Sequence, residues 1–278
     1  MSYREFLPSA PLRQYVDCYW HYTTGPATRE DIPVQRCLPL GTVEIIMQVD
    51  QKPCRILNEA GIWKDSPCIY FTGLFTDTAL WQAKPDAMMF GIRLKPESVM
   101  ELFQVPAVHL LNSVVNAEDV LGSVAKHMCS EMTGVFDFSA LVAIAERRLL
   151  RRLYELKQEH NLVSEACRII RQAKGGITVE EISGTLYVTK RKLQRDFKEL
   201  FGASPKTYQR IVRFRHAYQY ARCLAGKTIK WTDVSYEAGY ADQAHFIREF
   251  KEFTGVPPST LAANTEHFFQ TLEACRFN

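Results

Sequence analysis

The apolar positions of this chain fall into two regimes. Over residues 15–22, 43–49, 69–71, 78–82 and 88–94 they form short β-branched or aromatic runs, separated by turn signals such as Thr24-Gly25-Pro26, Pro39-Leu40-Gly41 and Lys84-Pro85-Asp86. Short runs at this spacing predict strands of a small barrel or sandwich. From Pro96 the period lengthens to that of helices. Pro96 suits the first position of a helix reaching about Phe103, Val105-Pro106 breaks it, and helical patterns follow over 117–132 and 139–160. In the last of these, Leu141, Ile144, Ala145, Leu149, Leu153 and Leu156 make an apolar stripe, with Arg147, Arg148, Arg151 and Arg152 mostly off it. Such a helix serves either dimerisation and interdomain packing or simply covers its own barrel. His160-Asn161 is the expected domain boundary.

Residues 164–262 read as helix throughout. A helix over 164–174 is closed by Gly175-Gly176, and Thr178 with Glu181 makes a capping box for a second over 179–186. Thr189 caps a third, ending before Gly202; Ser204-Pro205 opens a long fourth, reaching about Leu224. Helices over 231–238 and 243–254 complete the unit, and 265–275 suits a short terminal helix. The segment 239–258 is the most explicit. Asp242 is placed to cap its helix, Gly255 to end it in a left-handed turn, and Phe246, Phe250 and Phe253 share one face at i, i+4 and i+7.

That last helix has a double. The run RDFKELFGASP from Arg195 to Pro205 recurs as REFKEFTGVPP from Arg248 to Pro258, at an offset of 53 residues. Upstream, Ile182-Ser183 matches Val234-Ser235 at an offset of 52, so the second turn holds one residue more. Each copy is a short helix, a turn and a second helix packed across it, which is the helix-turn-helix arrangement. Two copies joined by one long helix can present both second helices to successive major grooves, about 34 Å apart.

Charge sharpens this picture. Residues 164–262 carry 17 Lys/Arg against 10 Asp/Glu, whereas residues 1–163 carry 16 against 19, so the overall +3 conceals a basic C-terminal third. A polyanion partner is expected for that third alone.

The last hundred residues resemble the DNA-binding domain of the AraC/XylS family of bacterial transcription regulators. The resemblance is carried by Tyr208, Arg213 and Ala217 in the long helix, Val234-Ser235 before Gly239-Tyr240, and Phe250-Lys251, Gly255 and Pro258. The run GYADQAHFIREF, residues 239–250, is similar to one subgroup in particular. The N-terminal domain of that subgroup is matched through Tyr15-Val16, Tyr19-Trp20, Leu38-Pro39, Val43-Glu44-Ile45-Ile46 and GIRLKP at 91–96. There are departures. Tyr187 stands where the family often has glycine, Lys230 where Thr178 caps the first unit, and the segment before the second unit is about three residues longer than is common.

The resemblance implies an α+β chain. A β-rich, barrel-like domain with flanking helices would occupy 1–160 as a sensor and dimerisation module. An all-α double helix-turn-helix would occupy 161–262, and a tail 263–278. It places Lys190, Arg191, Gln194 and Arg195 in one groove and Gln243, Ala244, His245 and Arg248 in the next. Arginine reads guanine, glutamine reads adenine, and Ala244 can meet a thymine methyl. Arg195 and Arg248 have the alternative of ion pairs within their own helices. Lys192, Lys206, Arg210, Lys227 and Lys230 are phosphate candidates, each equally suited to a solvated surface. Trp20, Tyr22, Glu44, Trp63, Phe71, Trp81 and Arg93 are candidates to line an effector pocket, against the alternative of ordinary core packing. Double-stranded DNA, RNA polymerase, a small-molecule effector and a second copy of the chain are the expected partners.

Other chemistry finds little support. His21, Glu44, His109 and His127 are of catalytic type, but none falls in an HExxH or GxSxG spacing and no phosphate-cradling loop occurs, so no enzyme is expected. The eight cysteines, at 18, 37, 54, 68, 129, 167, 223 and 275, are scattered singly. That pattern predicts neither a disulfide framework nor a zinc site, and argues against an alkylation sensor built on zinc-held cysteine. No cofactor or metal is expected. No apolar run approaches the roughly 18 residues of a membrane span and no signal-peptide pattern opens the chain, so a cytoplasmic protein is expected.

Overall fold

Period-2 alternation organises the N-terminal half. In the computed structural model, which describes residues 1–26, 32–58, 60–156, 161–224 and 228–263, ten strands form two sheets. They are β1 (Ser2–Phe6), β2 (Val16–Thr23), β3 (Gln35–Cys37), β4 (Val43–Gln48), β5 (Arg55–Leu57), β6 (Trp63–Asp65), β7 (Ile69–Thr72), β8 (Ala79–Gln82), β9 (Met88–Leu94) and β10 (Val114–Asn116). A six-stranded sheet runs β1-β2-β9-β4-β7-β10 and a four-stranded one β3-β8-β5-β6. Neighbouring strands are antiparallel, and the described strands do not close into a barrel. Open sheets replace the expected barrel-like closure. The short strands β1, β3, β5, β6 and β10 are additions to the expected set.

Both faces of the larger sheet are covered. Tyr19, Ile45, Met47, Phe71, Phe90 and Ile92 point to one side, into a core shared with helices. Their neighbours Trp20, Tyr22, Ile46, Tyr70 and Met89 point to the other, towards the smaller sheet. Successive strand residues alternate between faces, so one residue of displacement decides which layer a side chain joins.

The helices are α1 (Glu97–Phe103), α2 (Ala117–Leu121), α3 (Ser123–Met132), α4 (Phe138–Glu155), α5 (Leu162–Gln172), α6 (Val179–Thr185), α7 (Lys190–Phe201), α8 (Pro205–Cys223), α9 (Trp231–Glu237), α10 (Gln243–Thr254) and α11 (Pro258–Ala263). Pro96 is the residue before α1 rather than its first. The pattern over 117–132 is two helices, because Gly122 takes a positive φ of 55° and turns the chain between them. The stripe of α4 is used within the chain: Leu141, Ala145 and Leu149 are buried in the shared core, Arg147 and Arg148 pair with Glu131 of α3, and Arg152 Nε donates to Leu102 O. His160, Lys227 and the expected helix over 265–275 lie outside the described residues.

The core does not divide at residue 160. One cluster runs from Leu12 through the large sheet and α4, then on through Val163, Ala166, Cys167 and Ile170 of α5 to Leu193, Phe197 and Phe201 of α7. An ion pair between Arg171 of α5 and Glu97 of α1 lies within it, and Arg171 Nη1 also donates to Tyr208 Oη over 3.2 Å. The second helix-turn-helix unit has a separate core of Phe214, Val234, Phe246, Phe250 and Phe253, which Leu38 of the N-terminal half joins. Thiols separated by 61 residues in sequence also meet: Cys68 and Cys129 Sγ lie 2.9 Å apart. Among the described residues no helix is long and apolar enough to cross a membrane.

Candidate nucleic-acid interface and effector cavity

The two repeat units share the bonds of their turns and of the helices α7 and α10. In the first, Tyr187 N–H donates to Gly184 O and Val188 N–H to Ser183 O; in the second, Gly239 donates to Tyr236 O and Tyr240 to Ser235 O. Thr189 accepts from the Lys192 amide at the start of α7, as Asp242 does from that of His245 at the start of α10. Gly202 and Gly255, at φ of 75° and 77°, end the two helices and donate to Lys198 O and Lys251 O. The expected capping box of Thr178 and Glu181 is formed, whereas Lys230 caps α9 with no side-chain bond. Tyr187 takes the left-handed φ of 53° that Gly239 takes, at 71°, in the second turn. Only the second is spared a clash between Cβ and backbone.

Helix α8 sets the two units relative to each other. Tyr208 packs on Phe197 and Phe201 of the first, and Phe214 on Phe250 and Phe253 of the second. Six residues of helix separate these anchors, a rise of about 9 Å and a rotation of about 240°. Arg213 ties α8 to the turn between α5 and α6 and to the second unit: Nη2 donates to Gly175 O, and the guanidinium lies over the Tyr240 ring. Arg210, a phosphate candidate in the sequence, is placed differently. Its guanidinium pairs with Glu249 and Glu252 of α10 at 2.7 and 2.6 Å and covers Phe253. Glu249 is buried and accepts in addition from Tyr240 Oη. The sequence does not disclose this role of Glu249, because its partners lie 39 and 9 residues away.

The outward faces are polar. Lys190, Arg191, Lys192, Gln194 and Arg195 are exposed on α7, as are Gln243, Ala244 and Arg248 on α10. Lys190 pairs with Glu180, and Lys192 and Arg195 pair with Asp196, whose carboxyl is held below its ordinary value chiefly by the Lys192 hydrogen bond and then by Arg195. Exposed pairs of this kind are worth about 0–1 kcal/mol and exchange readily for another anion. The within-helix alternative thus holds for Arg195, while Arg248 has no hydrogen bond or ion pair among the described residues. His245 is half-buried, edge-on to Tyr240 and 3.8 Å from Glu249. Lys206 and Arg248 line one open cleft between the units, and Lys230 is exposed at the start of α9.

A cavity of about 140 Å³ lies between the two sheets and α8. Trp20, Tyr22, Glu44, Trp81 and Arg93 line it, as expected, together with Tyr3, Cys37 and, from α8, Tyr218. Trp63 and Phe71 do not. Phe71 pairs with Ile45 in register and so faces the helices, and Trp63 sits on β6 against Arg55. Register also explains the polar floor. Glu44 and Arg93 are opposite each other on β4 and β9; Arg93 Nε donates to Glu44 at 2.6 Å and its Nη1 to Glu5 at 2.8 Å, while Trp20 Nε1 donates to Glu44 at 3.1 Å. Gly91 is directly opposite Trp20, and a Cβ there would stand 1.9 Å from the indole. Only glycine lets the ring lie across the sheet. Among the described residues no group of three His, Cys, Asp or Glu side chains is arranged to hold a metal ion.

These features define a strand-rich half with a cavity, packed against a double helix-turn-helix whose first unit shares its core. Residues 182–264 match the helix-turn-helix domain family, and residues 4–116 a domain of unknown function, DUF6597. The lactose operon transcription activator of Staphylococcus xylosus is 34% identical over 74 residues, 27% of this chain and 25% of that protein. The chain thus matches only a quarter of the length of that curated relative. ToxT from Vibrio cholerae shares the overall fold: one structure aligns over 95% of this chain and 98% of its own at 9% identity with a TM-score of 0.50. An unliganded ToxT variant aligns over 88% and 97% at 10% identity with a TM-score of 0.51. Residues 182–264 thus carry a helix-turn-helix domain, and the chain as a whole shares the fold of ToxT.

Proposed function

We propose that this chain regulates transcription by binding double-stranded DNA sequence-specifically, with α7 and α10 entering successive major grooves. The observation that supports this most directly is the duplication. Two equivalently capped helices, each buried on an aromatic stripe, both present basic and amide side chains to solvent. Arg191, Gln194, Gln243, Ala244 and Arg248 are the base-reading groups of this proposal, with Lys190, Arg195 and His245 released from their pairs on binding. Lys192, Lys206, Lys227 and Lys230 contact phosphates, whereas Arg210 holds α10 to α8.

In this reading residues 1–160 are the sensor and dimerisation module, 161–262 the DNA-binding domain and 263–278 a tail. A small effector enters the cavity between the sheets. Tyr218 brings α8 to that cavity, so occupancy bears directly on the helix that sets the two readers. An effector that favours one arrangement shifts the population competent for DNA. RNA polymerase and a second copy of the chain are the protein partners, the protein acts in the cytoplasm, and it has no enzymatic activity. The test is affinity for a selected DNA site with full-length protein, with and without effector. Affinity unchanged by any compound that enters the cavity would sink the sensor role while leaving DNA binding intact.

A further inference from the structure

The cavity's own chemistry narrows what enters it. Its walls are aromatic. Tyr3 and Trp20 stack at 6.0 Å between ring centres, and Tyr22 and Trp81 meet edge to face at 5.6 Å. Its floor carries the Glu44 carboxylate. Of the two guanidiniums that line it, that of Arg93 is fully engaged: Nε meets Glu44, Nη1 meets Glu5 and Nη2 the Tyr3 hydroxyl. Of the two carboxylates only Glu44 borders the cavity. The balance is felt at Cys37, whose thiol is pushed up to about 12 by burial first and then by Glu44, with Arg93 opposing. The other guanidinium residue, Arg36, is exposed and its Nη1 donates to Thr254 O of α10.

Aromatic faces attract cations through the ring quadrupole, most strongly where water is excluded. A carboxylate at the end of such a box selects a positive over a neutral guest of the same shape. The volume, about 140 Å³, suits a compact guest of roughly benzene's size. We propose that the cavity takes a small organic ammonium ion, held against Trp20 and Trp81 with its charge directed to Glu44. This deepens the effector role proposed above and rests on it.

Choline, 3,3-dimethylbutan-1-ol and 3,3-dimethylbutanoate share one outline and differ in charge. Titration calorimetry of the full chain at low ionic strength is expected to give choline an affinity about tenfold or more above that of the alcohol, and no binding of the carboxylate. Glu44→Gln lowers choline affinity about tenfold and leaves the alcohol unchanged. Trp81→Leu, outside the Arg93 network, does the same without touching an ion pair, and thermal melts confirm that both variants fold. If the alcohol or the carboxylate binds as tightly as choline, the cavity remains an effector site but the charge assignment is overturned. If none of the three binds, both the assignment and the effector role of this cavity fail.

Discussion

Thr78 Oγ1 donates to the carbonyl of Phe253 over 2.6 Å, tying the start of β8 in the smaller sheet to the last turn of α10. Helix ends leave carbonyls without partners, and here Arg36 supplies Thr254 O as well. Both donors adjoin cavity-lining strands: Cys37 follows Arg36 on β3, and Trp81 lies three residues beyond Thr78 on β8. Thr78→Val keeps the shape and removes the bond. It should cost about 1 kcal/mol and speed amide exchange in the last turn of α10 without affecting α7. Unchanged exchange there would show that the contact does not hold the helix.

Arg215 of α8 pairs with Asp17 of β2 at 2.7 Å, a second tie across the chain. Burial alone would raise the Asp17 pKa; Arg215, with Lys95 and Arg93 beyond it, more than offsets this and holds the carboxyl below its ordinary value. The sign follows. Stability from this pair is present above the unfolded carboxylate pKa of about 3.9 and is lost as pH falls through the lower folded value. Asp17→Asn should therefore destabilise at pH 7 by about 3 kcal/mol, since it strands a guanidinium, and the deficit should shrink below about pH 4. Chemical denaturation of both proteins at pH 7 and pH 3 checks this.

The two turns predict opposite responses. Tyr187 is almost wholly exposed, so its left-handed backbone costs strain with no packing to offset it. Tyr187→Gly should stabilise by up to about 1 kcal/mol, and Gly239→Ala should destabilise by about that amount. A Cβ at Gly239 meets nothing within 4 Å, so any loss there is backbone strain alone. Equal melting temperatures across the set would contradict the assignment of strain.

At the DNA face, Arg248→Ala should weaken specific binding by about 1–3 kcal/mol and relax preference at one base pair. Lys206→Ala should lower affinity for every sequence and reduce the salt slope by roughly one unit. Titrations over a panel of single-base variants and a salt series separate the two effects. Undiminished preference in the arginine variant would remove Arg248 from the groove.

The C-terminal half was almost fully legible because its signals are local. Caps at Thr178, Thr189, Ser204 and Asp242, and exits at Gly202 and Gly255, are settled within one helical turn and form as expected. What escaped the sequence depends on pairing at a distance. Phe71 and Trp20 are alike in the sequence because both are aromatic; strand register puts them on opposite faces of one sheet. The capture of Arg210 by Glu249 and the approach of Cys68 to Cys129 are likewise fixed by packing between elements. The merging of α5 and α7 into the N-terminal core shows the same limit. An amphipathic helix announces that it has a buried face, not what that face will meet.

Selection of bound sequences from random DNA by the full-length protein tests the central claim most directly. Two reader helices on one α8 predict enrichment of a bipartite site whose halves lie one helical turn, about 10 base pairs, apart. The Arg248→Ala protein should lose information in one half and keep the other. Enrichment of no motif, or of a single half-site indifferent to Arg248, would contradict the account.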